Sequence, residues 1–501
     1  MTSRYFVWWA SFLIGFTSLT LEIVWIRIVS FVEGNSPQVL ALVLGIYLAG
    51  IGSGAWIGRT ITSQNNEENI RKYAGRILAI TVATDLLSPI FIGFIGNEIF
   101  IMPILACLIL ISSTTKAVIF PVVHHLGSKS DSKDTGRSLS KVYFFNILGS
   151  SLGPLIIGFW ALDWLSSQQI MIFASLLSLL IAASLDKTTL MKLCSTASII
   201  TAATIILCIE PHFMMKGLAL AKGSENIEFF SENKYGIIHT IKNSVMGDSI
   251  YGGNVYDGRL SIDPIKNGNR IDRLLVIAGL NIAPKRALVI GLSGGAWVRV
   301  LMEFPSIERI DVIELNPSYK DLIATTPTIG DILKDPRVHL HFNDGRKWLK
   351  GYEDAKFDLA VMNTTFHWRA YITNLLSVEF LNLISSNLGE HGILAYNSTG
   401  SPDALYTAAH VFQHAYTRSG SNFIYAADWD FRKTPLNPDS INYVTQRLVN
   451  NMGNKADTSI VFNQITSGKW VSKEVLQTSI ERDMELITDQ NMVTEFRHSR
   501  K

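Results

Sequence analysis

The sequence contains few cysteines and almost no excess of charge of either sign. Its three cysteines, Cys107, Cys194 and Cys208, all lie in apolar segments, so neither a disulfide framework nor a zinc site is expected. Lysine and arginine number 44 against 42 aspartate and glutamate residues, and the basic residues are scattered along the chain. This balance gives no reason to expect binding to nucleic acid.

Charged residues of any kind are also scarce. They make up 17% of the chain and hydrophobic residues 48%, whereas soluble domains average about 25% charged residues. Residues 1–210 contain seven apolar segments near the roughly 20 residues that cross a bilayer, and the first is too long for a signal peptide. We therefore expect a multi-span helical membrane domain over 1–210, with spans at 5–32, 38–58, 76–97, 98–125, 142–162, 166–185 and 191–210.

Small and ionisable residues within these segments suggest how the bundle packs. Glycine, alanine and serine recur in 45–54 and 149–158 at a spacing that lets helices approach closely, which predicts a compact bundle. Glu22 and Arg27 lie inside the first apolar segment. Either they pair with each other or extend to the interface, or they bind a lipid or polar headgroup.

The loops give conflicting information about sidedness. Basic residues concentrate in 59–76 and 129–141, which predicts that both loops face the cytoplasm. With seven spans the C-terminal half would then lie on the opposite side, away from the cytosolic cosubstrate inferred below. We expect a multi-pass protein of the inner or plasma membrane with its soluble domain in the cytoplasm, because the cosubstrate is cytosolic. One miscounted span would reverse the predicted orientation of the soluble domain and remove the conflict.

The C-terminal half alternates strands with helices. Residues 220–275 contain short alternating runs broken by glycine and asparagine, which predict a β-hairpin subdomain. Over 280–430, apolar strands alternate with segments long enough for crossover helices, which predicts a Rossmann-like, doubly wound parallel sheet. Residues 431–501 are expected to form a helical extension. The predicted parallel strands are 286–291, 309–315, 338–344, 357–363 and 391–399.

Residues at the carboxyl ends of these strands form a candidate ligand site. The first turn places Gly291, Ser293 and Gly295 where a ligand can approach backbone N–H groups. Glu314 ends the second strand and can accept hydrogen bonds from both hydroxyls of a ribose. Asp344, with Gly345 beside it, can accept from an adenine amino group. Together they indicate an adenosyl ligand, while NAD binding and a purely structural role as caps and turns remain alternatives.

With these residues in place, the segment from about 226 to 430 resembles the spermidine synthase (aminopropyltransferase) branch of the S-adenosylmethionine-dependent methyltransferase fold. The motifs are "SENKYG", "YDGRLSID", "PKRALVIGLSGGAWVRVL", "IELNPSY", "NDGRKWL" and "FDLAVMN". The apolar half resembles the transmembrane domain of membrane-fused spermidine synthase-like proteins through "GFTSLTLEIVWIRIVSFVEGN" and "NILGSSLGPLIIGF". The resemblance implies S-adenosylmethionine or its decarboxylated form as cosubstrate, without a metal.

The chain departs from the family pattern at the acceptor side. Gly294 replaces an aspartate that, in the family, holds the amine of decarboxylated S-adenosylmethionine. Ser261 replaces a glutamine, and Tyr235 is followed by glycine instead of glutamine. The family's Asp-x-x-Asp becomes Asn363 and Phe366. The resemblance therefore implies a conserved donor site and an altered acceptor site.

The altered residues suggest replacement chemistry. Asn363 can form hydrogen bonds but cannot act as a base near neutral pH, whereas His367 is a candidate base. Arg369 would suit an anionic group, and Trp368 could stack on adenine. Tyr235 and Asp257 are candidate acceptor contacts. Alternatively, His367 and Arg369 are solvated loop residues and Trp368 only packs.

Three functions remain open from the sequence. The first is a membrane-anchored transferase that alkylates a small-molecule or lipid acceptor other than an ordinary diamine. The second is an ordinary spermidine synthase of polyamine biosynthesis. The third is a non-catalytic membrane protein, either transporter-like or a nucleoside sensor. The oligomeric state, including a homo-oligomer, is left open.

Overall fold

The computed structural model describes residues 4–128, 135–219, 226–280, 282–364, 366–453, 458–491 and 493–497. Part of the basic loop at 129–141 therefore lies outside the described residues. The chain divides into two compact units, residues 1–237 (unit 1) and 238–501 (unit 2). Each is described by itself.

Unit 1 is helical and ends in one strand. A short 3-10 helix, Ala161–Asp163, separates the sixth helix from the seventh. In chain order the elements are α1 (Arg4–Val32), α2 (Pro37–Gln64), α3 (Glu67–Ile95), α4 (Ile101–Ala117), α5 (Ile119–Ser128), α6 (Thr135–Phe159), α7 (Ser167–Leu185), α8 (Thr189–Cys208), α9 (Phe213–Ala219) and β1 (Ile227–Asn233).

Within the described part of unit 1, seven helical segments are long and apolar enough to cross a membrane. Each overlaps one of the seven spans predicted from the sequence, and the fourth runs through both α4 and α5. The segments are Tyr5–Val32, Pro37–Gln64, Glu67–Ile95, Ile101–Gly127, Leu139–Asp163, Ser167–Leu185 and Thr189–Cys208.

Glycines bring pairs of these helices into close contact. A Cβ atom on Gly149 of α6 would lie 2.0 Å from the carbonyl oxygen of Phe12 in α1. A Cβ atom on Gly54 of α2 would lie 2.1 Å from the carbonyl oxygen of Thr114 in α4. Any larger residue would therefore force the helices apart, which confirms the close packing predicted from the small residues.

Some ionisable residues of unit 1 form ion pairs. The Lys116 ammonium lies 2.5 Å from Asp85 on the neighbouring helix, and both side chains are fully buried. Arg27 forms an ion pair with Glu232 at 3.4 Å. The interpretation that pairs Arg27 with Glu22 is therefore wrong, because Arg27 reaches the strand β1 near the end of the unit and not its own helix.

Unit 2 contains two sheets and their covering helices. Its first strand begins at the last two residues of unit 1. Two 3-10 helices occur at Asp331–Leu333 and Val493–Arg497. The elements are β2 (Gly236–Ile241), β3 (Ser249–Gly252), β4 (Val255–Arg259), α10 (Asp272–Gly279), β5 (Arg286–Ile290), α11 (Ala296–Leu301), β6 (Arg309–Glu314), α12 (Ser318–Ala324), α13 (Pro327–Gly330), β7 (Val338–Phe342), α14 (Gly345–Lys350), β8 (Phe357–Met362), α15 (Thr373–Leu376), α16 (Val378–Asn387), β9 (Leu388–Asn397), α17 (Pro402–Val411), β10 (His414–Arg418), β11 (Phe423–Ala427), α18 (Pro438–Asn451), α19 (Ser459–Ser467), β12 (Trp470–Val471) and α20 (Lys473–Gln477).

The hairpin prediction is confirmed within unit 2. Strands β2 and β3 pair antiparallel from Ile238 opposite Gly252, and β3 pairs antiparallel with β4. The strand order of the large sheet is β12-β10-β11-β9-β8-β5-β6-β7. Strands β5 to β9 are parallel and coincide with the five predicted strands.

The predicted parallel sheet is confirmed over β5 to β9, but the complete sheet is mixed, because β10, β11 and β12 are antiparallel and were not predicted. Only the residues 419–422 connect β10 to β11. A parallel pair needs a crossover of a dozen or more residues, so this short connection can only form a hairpin. Strand β12 lies in the segment 431–501, for which the sequence suggested only helices.

The order of the parallel strands locates the candidate site. The chain runs from β5 outward through β6 to β7 and then returns to the other side of β5 as β8. The strand order therefore reverses between β5 and β8. In open α/β sheets, ligands bind beyond the carboxyl ends of the strands at such a point.

Candidate active site

The segments that follow β5 and β8 meet at this switch point. The backbone N–H of Asn363, directly after β8, donates to the carbonyl oxygen of Ile290 at 2.9 Å. Gly291, directly after β5, has a φ of 89°, and a Cβ atom there would lie 2.7 Å from the carbonyl oxygen of Asn363. Only glycine satisfies both the left-handed backbone and this close contact.

The small residues of the turn after β5 are also explained by packing within the protein. Gly295 has a φ of 73°, and a Cβ atom there would lie 2.8 Å from Ile332. A Cβ atom on Gly294 would lie 2.3 Å from the Cδ1 atom of Ile250. The Ser293 hydroxyl donates to the carbonyl oxygen of Asp257 at 2.8 Å. Binding of a nucleoside by this turn stays a prediction.

Glu314 lies at the end of β6, as predicted, with its carboxylate buried beside the turn. Its Oε2 atom accepts from the backbone N–H of Leu292 at 2.8 Å, and its Oε1 atom accepts from that of Asn316 at 2.8 Å. Burial raises the pKa of Glu314 to about 7, although these backbone hydrogen bonds oppose the rise. Contact of Glu314 with the hydroxyls of a ribose stays a prediction.

Asp344 caps the helix α14, which contacts β6, the strand that ends in Glu314. Its Oδ1 atom accepts from the backbone N–H of Lys347 at 2.7 Å, which makes it the N-cap of α14. A Cβ atom on Gly345 would lie 3.0 Å from Ile290, so the glycine lets the helix pack against β5. Contact of Asp344 with an adenine stays a prediction.

A cavity of about 210 Å³ lies at the switch point and brings together several predicted acceptor residues. Asp257, Asn363 and Phe366 line it. Among the described residues that line the cavity, Asp257 is the only acid. The Tyr319 hydroxyl donates to its Oδ2 atom at 2.5 Å, and burial raises the pKa of the Asp257 carboxyl.

Arg369 is an electrostatic partner of the Asp257 carboxylate. Its guanidinium interacts electrostatically with Asp257 and Tyr319, while burial lowers the pKa of Arg369. A Cβ atom on Gly253 would lie 2.9 Å from its Nη2 atom. Arg369 is therefore partly enclosed by the protein and stabilises the charge on Asp257, and contact with a bound anion stays a prediction.

His367 and Trp368 contact other side chains of the protein. The His367 backbone N–H donates to the Thr399 hydroxyl at 2.8 Å, and its Nδ1 atom lies 3.2 Å from the Thr399 carbonyl oxygen. Trp368 stacks on Phe366 with ring centroids 5.7 Å apart. Neither residue is among the described residues that line the cavity. Catalysis by His367 and stacking of Trp368 on adenine both stay predictions.

Tyr235 belongs to unit 1. It is about half exposed, and the Lys234 ammonium lies 5.3 Å from the centroid of its ring. Its predicted contact with an acceptor is not tested by the contacts within unit 1.

No group of three or more histidine, cysteine, aspartate or glutamate side chains that could hold a metal is found in the described part of the chain.

Two arginines of the cavity were missed in the sequence. Arg270 and Arg273 line it, and the Arg273 Nη2 atom donates to the Asn422 side chain at 2.8 Å. The only sequence signal is the short run "NRIDR", 269–273, in which two arginines stand three positions apart at the start of a helix. Asn422 comes from the unpredicted β10–β11 hairpin, so no local pattern indicated it.

Comparisons with known proteins show what this chain is similar to. Residues 273–429 match the Spermine/spermidine synthase domain family. A polyamine aminopropyltransferase of Corynebacterium efficiens is 22% identical over 414 residues, which cover 79% of this chain and 76% of that protein. Because unit 2 makes up little more than half of the chain, this match includes part of unit 1.

Two further similarities are more limited in extent. A polyamine aminopropyltransferase of Clostridium perfringens is 35% identical over 119 residues, covering 24% of this chain and 41% of that protein. The solved structure of a spermidine synthase in complex with the transition state analogue AdoDATO has a TM-score of 0.36 and 15% identity, covering 51% of this chain and 85% of that one.

Proposed function

We propose that this spermidine synthase-like chain is a membrane-embedded transferase that alkylates an acceptor other than an ordinary diamine. The group transferred is an aminopropyl or other alkyl group, and the donor is decarboxylated S-adenosylmethionine or S-adenosylmethionine itself. One observation carries the proposal. Two backbone N–H groups hold the Glu314 carboxylate at the end of β6, while the cavity at the neighbouring switch point presents Asn363 and Phe366 in place of the two aspartates that the family resemblance implies.

The donor side is supported by both chemistry and similarity. The Glu314 carboxylate is oriented by two backbone N–H groups, which favours its accepting hydrogen bonds from the two ribose hydroxyls. The family match over 273–429 includes this strand and the glycine turn. Gly294 offers no carboxylate for the amine of the donor, so the choice between the decarboxylated and the intact nucleoside stays open.

The transfer step is a displacement at carbon. The acceptor nitrogen forms a bond to the carbon beside the sulfonium, the carbon–sulfur bond breaks, and sulfur keeps the electron pair as a neutral thioether. The nitrogen then loses a proton, which Asp257 can accept because burial raises the pKa of its carboxyl. Asn363 positions the amine by hydrogen bonds but cannot take the proton.

The membrane half suggests where the acceptor comes from. The seven apolar helical segments found among the described residues favour insertion in a bilayer, so a lipid acceptor is available as well as a small molecule. We place unit 2 in the cytoplasm because the donor nucleoside is made there. An ordinary spermidine synthase is the second candidate, favoured by the names of the relatives.

The test is transfer by the full-length protein in lipid nanodiscs. Decarboxylated S-adenosylmethionine labelled in its aminopropyl group is incubated with putrescine, with a soluble cell extract or with a membrane-lipid extract. Mass spectrometry follows release of methylthioadenosine and the labelled product. We expect a product from one of the extracts and little from putrescine.

Two results would decide against the proposal. Efficient conversion of putrescine would identify an ordinary spermidine synthase. Absence of both methylthioadenosine and S-adenosylhomocysteine (or its decarboxylated form) with every acceptor and with either donor would identify a non-catalytic protein. The Glu314→Ala variant is the matched control, since it removes the predicted ribose contact and should suppress any genuine transfer.

A further inference from the structure

Two arginines give the cavity of unit 2 an unusual charge. Arg270, just before α10, is exposed, whereas Arg273 in the first turn of α10 is 8% exposed. Both line the cavity. Arg273 donates from Nη2 to Asn422, but its buried Nε atom has no hydrogen-bond partner among the described residues. A buried donor therefore remains unsatisfied at the cavity wall.

Neither arginine forms an ion pair within the described part of the chain, and the neighbouring Asp272 attracts Arg273 only electrostatically. The ion pairs found in unit 2 involve other arginines, such as Arg299 with Glu303 and Arg482 with Asp403. The guanidinium of Arg273 lies 5.4 Å from the centroid of the Phe423 ring, which offsets only part of the cost of burying a charge. A bound anion would supply the missing counter-charge.

The acid that lines the same cavity is already engaged. Asp257 accepts from Tyr319 and is attracted to Arg369. The cavity is therefore lined by two arginines that form no ion pair and by one carboxylate whose charge is compensated. A diammonium acceptor would place its distal ammonium group near these two arginines, where like charges repel. An acceptor with a carboxylate or phosphate would complement it, because the guanidinium fork binds both groups through paired hydrogen bonds.

We propose that Arg270 and Arg273 bind a carboxylate or phosphate of the acceptor, so that the acceptor is an amine bearing an acidic group. The inference rests on the proposed transferase function and names its substrate class. The amine nitrogen is alkylated and gives its proton to Asp257, while the acidic group remains unchanged on the arginines. A soluble amino acid and a lipid headgroup with an amine and a phosphate share this chemistry.

Matched probes separate the charge of the distal group from chain length. Putrescine and 4-aminobutyrate have the same four-carbon chain but end in an ammonium and a carboxylate, respectively. Phosphoethanolamine and vesicles containing phosphatidylethanolamine present an amine and a phosphate in soluble and lipid form. With the full-length protein in nanodiscs and saturating donor, we expect at least one acidic amine to exceed putrescine in kcat/KM by about tenfold or more.

Variants test whether the arginines cause this preference. Arg273→Gln should raise KM for the preferred acidic amine by roughly 10- to 100-fold, the range for loss of a charged hydrogen bond. Reaction with putrescine should change less than this, so that the ratio of kcat/KM for the acidic amine to kcat/KM for putrescine falls. Arg270→Gln provides a second variant that should fold, because Arg270 is exposed. Arg432→Gln is the control for charge loss, since that exposed arginine pairs with Asp430.

A binding measurement distinguishes failure of this inference from failure of the transferase function. Calorimetry with 4-aminobutyrate, phosphoethanolamine and inorganic phosphate should show binding that Arg273→Gln weakens, even if no group is transferred. Donor affinity should be the same in both proteins. A wild-type preference for putrescine, or equal binding of the acidic probes by wild type and both arginine variants, would overturn the proposal.

Discussion

The substitution Gly294→Asp restores the aspartate that the resemblance places in the turn, and the structure predicts that it cannot fit. The new Cβ atom would lie 2.3 Å from Ile250 Cδ1 and 3.1 Å from Leu260 Cδ2. Carbon atoms pack best at about 3.5–4.0 Å, so the first contact overlaps by more than an ångström. Ile250 is fully buried, which leaves little room for it to move.

The cost can be estimated from the packing. Overpacking a core typically costs about 1–3 kcal/mol. Ile250→Val removes the clashing Cδ1 atom at a cost of about 0.5–1.5 kcal/mol. The two changes should therefore compensate each other, and Gly294→Asp with Ile250→Val should be less destabilised than the sum by on the order of 1 kcal/mol. The double variant should also bind decarboxylated S-adenosylmethionine more tightly relative to the intact nucleoside.

The assay is a double-mutant cycle on the full-length protein. Thermal unfolding of the four proteins gives apparent midpoints, in which 1 kcal/mol corresponds to roughly 2–4 °C for a unit of this size. Calorimetry with both nucleosides gives the selectivity. Additive losses of stability, or a Gly294→Asp variant as stable as wild type, would refute the conclusion that Ile250 occupies the space of the missing aspartate.

Three further predictions concern single carboxylates. Asp257→Asn should lower transfer by about 10²–10⁴-fold, the usual contribution of a general base, while calorimetry shows unchanged donor affinity. For Glu314, burial raises the pKa to about 7; ribose hydroxyls favour the ionised form, so donor affinity should rise with pH up to about 7, and Glu314→Gln should remove this dependence. By the same linkage, protonated Glu314 contributes stability that is fully present below its ordinary pKa and is lost as pH rises toward 7. In unfolding measurements without donor, the stability of wild type relative to Glu314→Gln should therefore increase as pH falls. Asp403 is fully buried and accepts from Arg482 at 2.8 and 2.9 Å; Asp403→Asn should cost about 3–5 kcal/mol in thermal unfolding. Burial acts to raise the pKa of Asp403, but Arg482 and Arg497 outweigh it and the pKa is lowered, so its contribution should be present above the ordinary pKa and lost as pH falls.

The parallel strands and their end residues could be predicted because buried strands read as continuous apolar runs. Glu314, Asp344 and Asn363 consequently lie at or just beyond the strand ends where the sequence placed them. Strand β11, "FIYAA", is equally buried, but a five-residue apolar run does not distinguish a strand from a helix. The antiparallel edge of the sheet was missed for that reason.

The composition of the cavity could not be predicted from local patterns. Arg273 and Asn422 lie 149 positions apart and meet only through the folded hairpin. His367 stands in an irregular loop, where no periodicity indicates the direction of a side chain, and its ring contacts Thr399. The clash at Gly294 depends on Ile250 in another sheet. These contacts are tertiary, whereas sequence periodicity reports only secondary structure and burial.

The central claim is that the donor site is functional although the acceptor site has changed. Calorimetric titration of decarboxylated S-adenosylmethionine and S-adenosylmethionine into the full-length protein tests it most directly. We predict one binding site per chain for at least one nucleoside, with affinity reduced at least tenfold in Glu314→Ala because two charged hydrogen bonds are lost. No binding of either nucleoside, or equal binding by wild type and Glu314→Ala, would contradict it.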